Sequence, residues 1–174
     1  MSDVHIRDAR PSDQDSIREV TLAAYHEYAA ELPDFWKAYR LNILTTLADT
    51  GLAQQIVAEQ DGAVVGAVLL YPFGFAGSPA DGTVAMTATP EVRLLAVAPE
   101  GRGRGLGEAL MRECVQRARA SGAAALTLHT TDLMRVAIRL YDRMGFVRSP
   151  ELDFGLAPGL SVKGYRMHLD AAAA

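Results

Sequence analysis

The chain has 174 residues, of which 49% are hydrophobic and 22% charged, and its formal net charge is −4. This length and composition are typical of one globular domain that buries a core. The acidic balance argues against broad binding to a nucleic-acid backbone. The single cysteine excludes an internal disulfide and a metal site built from several cysteines.

The chain carries no pattern that predicts contact with a membrane. Its first residues, MSDVHIRDARPSDQD, are polar and acidic, unlike a signal peptide. The longest apolar stretch, residues 63–75, is interrupted by Gly66, Pro72 and Gly74 and is too short to span a bilayer. We therefore expect a cytoplasmic protein with one domain over residues 1–170 and a disordered tail at 171–174.

Hydrophobic periodicity and turn residues predict a mixed α/β chain of order β-α-α-β-β-β-α-β-α-β-β. The predicted elements are a strand at 4–8, a helix with Ile17, Val20, Ala24 and Tyr28 on one face, a helix at about 34–49, strands at 54–60 and 63–71 around an Asp61-Gly62 turn, a strand at 91–98, a helix at about 105–120, a strand at 125–130, a helix at about 133–144, and strands within 146–154 and 162–170. Residues 74–90 predict a long mobile loop. The strands at 91–98 and 125–130 flank a helix, so we expect them to be parallel neighbours.

Residues 97–110, VAPEGRGRGLGEAL, place four glycines and two arginines between a strand and a helix. The dinucleotide motif G-x-G-x-x-G fails in every register here, and the phosphate loop G-x-x-x-x-G-K-[ST] lacks its lysine. A glycine-rich loop between the end of a strand and the N-terminus of a helix brings unpaired N–H groups to one place. The pattern therefore favours an anion cradle over a flexible connection.

Two motifs resemble those of a known family. The first, Val97-x-Pro99-x-x-Arg102-x-x-Gly105-x-Gly107-x-x-Leu110, looks like the acetyl-CoA-binding motif of the GCN5-related N-acetyltransferases (GNAT). The second follows about thirty residues on and reads Ala137-x-x-Leu140-Tyr141-x-x-x-Gly145-Phe146. The resemblance implies a GNAT-like mixed sheet with splayed parallel strands at about 91–98 and 125–130. It also implies acetyl-CoA-dependent transfer of an acetyl group to a primary amine, by direct attack in a ternary complex and without a metal.

The resemblance implies where acetyl-CoA binds. The pyrophosphate would meet the loop backbone and the positive end of the following helix, while Arg102 and Arg104 add charge, one for the pyrophosphate and the other for the 3′-phosphate or solvent. The pantetheine arm would run along the strand, where a backbone N–H of Leu95 or Val97 would stabilise the oxyanion. The implied cofactor-binding residues are Leu95, Ala96, Val97, Arg102, Gly103, Arg104, Gly105, Leu106 and Gly107.

The same resemblance implies catalytic roles for Tyr141 and Glu91. Tyr141 would protonate the departing thiolate, since a tyrosine with a pKa of about 10 keeps its proton at neutral pH; the alternative is a packing role in the helix face. Glu91 would relay the amine proton through water, and the alternative is a solvated charge at the start of a strand. His129 is a rival base. Cys114 lies on an apolar helix face, which argues against a covalent acetyl-enzyme.

One position departs from the family pattern. Many members carry Asn where this chain has Met134, so that contact to CoA is in doubt, and Thr131 or Asp132 would cap the helix instead. Trp36 and Tyr39 are expected in the core rather than in an aromatic wall of the acceptor site, because they share a helix stripe with Ile43 and Leu47.

The acceptor side is expected in residues 25–40, 74–90 and 149–164. Acidic side chains there either favour a cationic amine or are merely solvated: Glu27, Glu31, Asp34, Glu151 and Asp153. The acceptor's identity and the oligomeric state, a homodimer included, stay open. So do a longer acyl group, a hydroxyl acceptor, and a CoA-binding sensor or scaffold without turnover.

Overall fold

The structure is a computed structural model that describes residues 3–76, 85–157 and 159–170. It confirms the mixed α/β class. The helices are α1 (Gln14–Tyr25), α2 (Pro33–Ala48), α3 (Leu106–Ala120) and α4 (Arg135–Met144). The strands are β1 (Val4–Asp8), β2 (Gln54–Gln60), β3 (Ala63–Tyr71), β4 (Gly74–Ala76), β5 (Ala85–Thr87), β6 (Glu91–Val97), β7 (Ala125–Thr130), β8 (Val147–Arg148), β9 (Phe154–Ala157) and β10 (Leu160–His168).

Hydrogen bonds join the strands into a mixed sheet of order β1-β2-β3-β6-β7-β10-β8, with β9 paired to β10. Strands β4 and β5 form a separate two-stranded sheet. Strands β6 and β7 are parallel, as predicted, and their register pairs Glu91 with Thr127 and Val92 with Leu128. The β1–β2, β2–β3 and β7–β10 pairs are antiparallel.

The chain divides into two compact units, and the boundaries between them fall within β3, β6 and α3. The first unit comprises residues 1–70 and 94–113, and the second comprises residues 71–93 and 114–174. A single domain over residues 1–170 therefore stays a prediction.

The first unit has an apolar core formed by its helices and the β2–β3 hairpin. Ile17 of α1, Ile43 of α2 and Ile56 of β2 are almost fully buried. The hairpin turns at Asp61 and Gly62, whose φ angles are 51° and 80°. Asp-Gly is favoured there because both residues tolerate positive φ, so the predicted turn is confirmed.

The second unit has an apolar core to which the strands β7 and β10 contribute. Leu126 and Leu128 of β7 are buried, and so are Val162 and Tyr165 of β10. Strand β10 pairs with three strands, β7, β8 and β9. It therefore organises this end of the sheet.

Two predicted segments are wrong in part. The loop predicted at 74–90 contains the paired strands β4 and β5, while residues 77–84 lie outside the described residues. The strand predicted within 146–154 is only two residues long and is followed by a 3₁₀ turn, Pro150–Leu152. Pro150 has no N–H to donate to a strand ladder, and Leu152 N–H donates to Ser149 O at 2.9 Å instead.

Across residues 3–76, 85–157 and 159–170, no helix combines the length and the apolar character needed to cross a bilayer.

Candidate functional site

The glycine loop lies in the first unit, between β6 and α3. After β6 the chain makes a 3₁₀ turn, Pro99–Gly101, and α3 then begins at Leu106. Gly103 and Gly105 have φ angles of 72° and 77°, which residues with a side chain rarely adopt. A Cβ on either glycine would meet nothing within 4 Å. Both glycines therefore serve the backbone conformation, and the space beside them is open to a ligand.

The N-terminus of α3 adds donors to this loop. Gly105 O accepts from Ala109 N–H at 2.9 Å, so Gly105 directly precedes the helix and Gly107 lies in its first turn. The first N–H groups of a helix have no partner within that helix, and its dipole is positive at that end. The loop therefore has the features of an anion site that the sequence predicted.

The two arginines of the loop differ in their contacts. Arg102 donates to Glu27 Oε2 at 2.6 Å and to Ala24 O at 3.1 Å; Ala24 is in the last turn of α1, and Glu27 is in the 3₁₀ turn that follows it. Arg104 is exposed and makes no hydrogen bond or ion pair with any other described residue. Arg104 is thus the arginine whose charge is available to an anion at the loop.

Strand β6 leads into the loop through an irregular backbone. Leu94 has a φ of +50°, which is rare for a residue with a side chain and typical of a bulge. Ala96 is buried, whereas Leu95 and Val97 are partly exposed. In the first unit, Ala98 N–H donates to Val65 O at 2.9 Å and fixes the end of β6 against β3.

Glu91 lies in the second unit and is buried, with 3% of its surface exposed. Its Oε1 accepts from Arg93 Nε at 2.6 Å, and its Oε2 lies 3.6 Å from His129 Nδ1. The Arg93 guanidinium also stacks over the Tyr71 ring, 4.5 Å from its centroid. Glu91 is therefore a buried carboxylate between two basic groups, and the alternative of a solvated charge is wrong.

The charge state of Glu91 follows from these neighbours. Burial is the largest single effect and raises the pKa of the carboxyl group. The His129 imidazole and the Arg93 guanidinium together outweigh it, so that the pKa lies below its ordinary value of 4.5. Glu91 is thus ionised at neutral pH.

His129 connects this carboxylate to the turn before β9. Its Nε2 lies 2.9 Å from Leu152 O, and its ring lies 5.0 Å from the Phe154 ring, centroid to centroid. A carbonyl oxygen only accepts, so Nε2 carries a hydrogen and Nδ1 faces Glu91. The structure brings together Glu91 and His129, which the sequence treated as rival bases.

Gly74 closes the other side of the carboxylate. A Cβ built on Gly74 would lie 2.7 Å from Glu91 Oε2, 3.1 Å from Thr87 Oγ1 and 3.2 Å from Thr127 Oγ1. No side chain fits there without displacing one of these groups. The sequence carried no sign of this role, because Gly74 stood among other small residues in a segment interpreted as a loop.

Tyr141 is positioned by the end of α4. Gly145 has a φ of 94° and ends the helix, and Phe146 N–H donates to Tyr141 O at 3.0 Å, as in a Schellman motif. The Phe146 ring packs against the Tyr141 ring at 5.9 Å, and Tyr141 is 6% exposed. The Gly-Phe pair of the second motif thus terminates α4 and holds the tyrosine.

Two smaller expectations have clear outcomes. Cys114 is fully buried, as its helix spacing predicted. The predicted cap by Thr131 or Asp132 is wrong, because α4 begins after Met134 without a side-chain cap, and Asp132 binds Lys163 at 2.6 Å. No group of three or more His, Cys, Asp or Glu side chains suited to a metal ion occurs among the residues that the structure describes.

The acidic residues expected on the acceptor side are mostly paired. Glu27 binds Arg102, Glu151 binds Arg166 at 2.6 Å, and Asp153 binds Arg148 through both carboxylate oxygens. Of the five, only Glu31 and Asp34 make no ion pair with other residues in the described parts of the chain. Trp36 and Tyr39 are half-buried rather than fully in the core.

Residues 18–146 match the model of the acetyltransferase (GNAT) family. An uncharacterized N-acetyltransferase of Schizosaccharomyces pombe is 32% identical over 91 residues, 52% of this chain and 49% of that protein. The streptothricin acetyltransferase of Streptomyces lavendulae is 43% identical over 68 residues, 39% of this chain and 35% of that protein. These alignments thus span half or less of the curated relatives.

A solved GNAT family acetyltransferase from Brucella melitensis, in complex with acetyl-CoA, is 25% identical and superimposes with a TM-score of 0.62, covering 99% of this chain and 92% of that one. The family model covers well over half of the sequence. The chain belongs to the GNAT acetyltransferase family.

Proposed function

We propose that this protein is an acetyl-CoA-dependent N-acetyltransferase that acetylates a primary amine by direct attack in a ternary complex. The observation that carries the proposal is the match of residues 18–146 to the GNAT family, together with an open glycine loop at the family's cofactor motif. The acetyl-CoA complex of the Brucella melitensis relative supports the choice of donor.

The loop residues fit the diphosphate of acetyl-CoA. Gly103 and Gly105 leave open space, α3 presents its N-terminus, and Arg104 is an exposed cation without a partner among the described residues. These features suit a ligand that carries negative charge and approaches the backbone closely. The partly exposed Leu95 and Val97, with Ala96 between them, would receive the pantetheine arm along β6.

Acetyl-CoA supplies an acetyl group that its thioester bond activates for transfer. In the reaction, the amine nitrogen attacks the carbonyl carbon, a C–N bond forms and the C–S bond breaks. A backbone N–H of Leu95 or Val97 stabilises the oxyanion. Tyr141 donates its hydroxyl proton to the departing thiolate, which becomes the free thiol of CoA.

The attacking nitrogen must also lose a proton. Glu91 is ionised and buried, and His129 lies beside its Oε2. The lowered pKa makes Glu91 alone a weak base, so we assign proton removal to a water that passes the proton to the Glu91–His129 pair. This role does not require either side chain to touch the amine.

The acceptor class stays at the level of a primary amine, on a small molecule or a peptide. The Streptomyces lavendulae relative is named for acetylation of streptothricin, but its alignment covers only 39% of this chain, so its acceptor does not define the one used here. The ion pairs of Glu27, Glu151 and Asp153 leave less free negative charge than the sequence suggested.

A two-part experiment tests the proposal. Acetyl-CoA should raise the melting temperature clearly more than NAD or ATP does, because binding to the folded state stabilises it. Release of CoA thiol should then be measured over a panel of amines, with alcohols and longer acyl-CoA donors included. Stabilisation without thiol release on any acceptor would favour a CoA-binding sensor. The absence of stabilisation would refute the choice of donor.

A further inference from the structure

The two loop arginines, Arg102 and Arg104, differ in role, as the contacts of Arg102 indicate. Its guanidinium binds a carboxylate and a carbonyl 75 and 78 residues earlier in the chain. Both partners belong to the first unit, as does the loop itself. A single side chain of the cofactor motif therefore joins the loop to the end of α1.

The partners of Arg102 lie where a cation is expected. Ala24 is in the last turn of α1, where carbonyls lack helical partners and the dipole is negative. Glu27 follows in the connector, which we define as residues 26–32 between α1 and α2. The Arg102–Glu27 pair thus anchors the connector to the glycine loop.

Two side chains of the connector, those of His26 and Tyr28, flank Glu27 in the chain. Burial, and next a hydrogen bond to the Glu27 carboxylate, raise the pKa of Tyr28. His26, the residue before Glu27, packs against Trp36 with the ring centroids 5.6 Å apart. Trp36 lies in α2 and is the only tryptophan of the chain. Because it packs against His26, its fluorescence reports on the connector.

We propose that Arg102 is a positioning residue that couples the glycine loop to the connector, whereas Arg104 supplies the charge for the donor's phosphates. This inference rests on the proposed function, since it assumes that CoA binds at the loop. Arg102 acts through Glu27 and Ala24. Binding of the donor at the loop changes the environment of the connector through that contact.

Arg102 and Glu27 are about equally exposed, with 40% and 44% of their side chains accessible. An exposed ion pair contributes little to stability, so a change in melting temperature cannot decide the question. The test therefore measures ligand affinity and a spectroscopic signal separately. CoA and phosphate-free pantetheine are the two probes.

The experiment titrates each variant with CoA and with pantetheine while Trp36 emission is recorded, and calorimetry gives the affinities. In the wild type we expect CoA to bind and to change Trp36 emission. Arg104→Gln should weaken CoA binding about tenfold, the loss of one charge-assisted contact, and keep the emission change at saturation. Pantetheine affinity should be unaffected.

Arg102→Gln should change CoA affinity less than about twofold, because its charge is engaged elsewhere, and should abolish most of the emission change. Glu27→Gln should do the same, and the double variant should lose no more than either single one. Arg112→Gln is the matched control, since it removes another exposed Arg–Glu pair, with Glu108, within the first unit. It should leave both signals unchanged.

Each contrary result has a distinct meaning. If Arg102→Gln weakens CoA binding as much as Arg104→Gln and keeps the emission change, Arg102 is a phosphate ligand and the inference is wrong. If the wild type binds CoA without any change in Trp36 emission, no coupling exists. If the wild type does not bind CoA at all, the proposed function itself fails, and the calorimetry shows this before any variant is compared.

Discussion

His129 lies between Glu91 and Leu152, with Nδ1 3.6 Å from the Glu91 carboxylate and Nε2 2.9 Å from the Leu152 carbonyl. When the imidazole is protonated, Nε2–H donates to Leu152 O and the positive ring faces the Glu91 carboxylate across 3.6 Å. When it is neutral, the hydrogen on Nε2 keeps the contact with Leu152 and leaves an unprotonated Nδ1 beside Glu91. In either state the contact with Leu152 is kept, and only the protonation of the atom that faces Glu91 differs.

Replacing Glu91 by glutamine should lower stability by about 3 kcal/mol at neutral pH, because Arg93 and His129 lose a buried partner. The wild-type pKa lies below 4.5, so the carboxylate stabilises the fold above that pH, and the effect is lost as the pH falls through the folded-state pKa. Urea unfolding from neutral to acidic pH should show a weaker pH dependence in Glu91→Gln.

Glu108→Gln, which removes the exposed partner of Arg112, serves as the control and should change stability by about 0.5 kcal/mol or less. An equal, small effect of both variants would contradict a stabilising role for the Glu91 cluster.

Tyr141→Phe should lower kcat about a hundredfold while the affinity for CoA stays the same, since only the proton donor is removed. Steady-state thiol release and calorimetry measure the two quantities. Tyr165→Phe is the control, because Tyr165 is also buried in the second unit and packs under Arg148. Full activity in Tyr141→Phe would leave Tyr141 as a packing residue of α4.

Most of the scaffold could be predicted because it depends on local patterns. The Asp61-Gly62 turn follows from residues that tolerate positive φ, and the buried face of α3, which includes Cys114, follows from helical spacing. Strands β4 and β5 escaped prediction because a strand of three residues is too short to show an apolar alternation. The Pro150–Leu152 turn interrupted what looked like a continuous strand.

The contacts of the candidate site were less accessible to sequence reasoning. Arg102 stands in a recognisable motif, but its partner Glu27 is 75 residues away, and no local pattern joins them. Glu91 and Arg93 are two positions apart on one strand, which places both side chains on the same face and was an available sign of an ion pair. The approach of Gly74 to Glu91 depends wholly on tertiary packing.

Gly74→Ala should disturb the Glu91 cluster directly, because the new Cβ would lie 2.7 Å from Glu91 Oε2. We expect a destabilisation of about 1–3 kcal/mol, as for other overpacked sites, together with a loss of turnover. Gly155→Ala is the control, since a Cβ there meets nothing within 4 Å. Chemical unfolding and thiol release check both effects. Equal behaviour of the two variants would show that the carboxylate can move without cost.

Asp13→Asn should destabilise the first unit by about 2 kcal/mol, the typical contribution of hydrogen bonds to charged groups. Asp13 is buried and accepts hydrogen bonds from the Arg7 guanidinium at 2.7 Å and from Arg10 N–H at 2.6 Å. The hydrogen bond from Arg7 is the main cause that lowers the pKa of Asp13 from 3.8. The carboxylate therefore stabilises the fold above pH 3.8, and this is lost as the pH falls through the folded-state pKa. Urea unfolding against pH measures the effect, with the exposed Asp15→Asn as control. Parallel pH curves for Asp13→Asn and the wild type would contradict it.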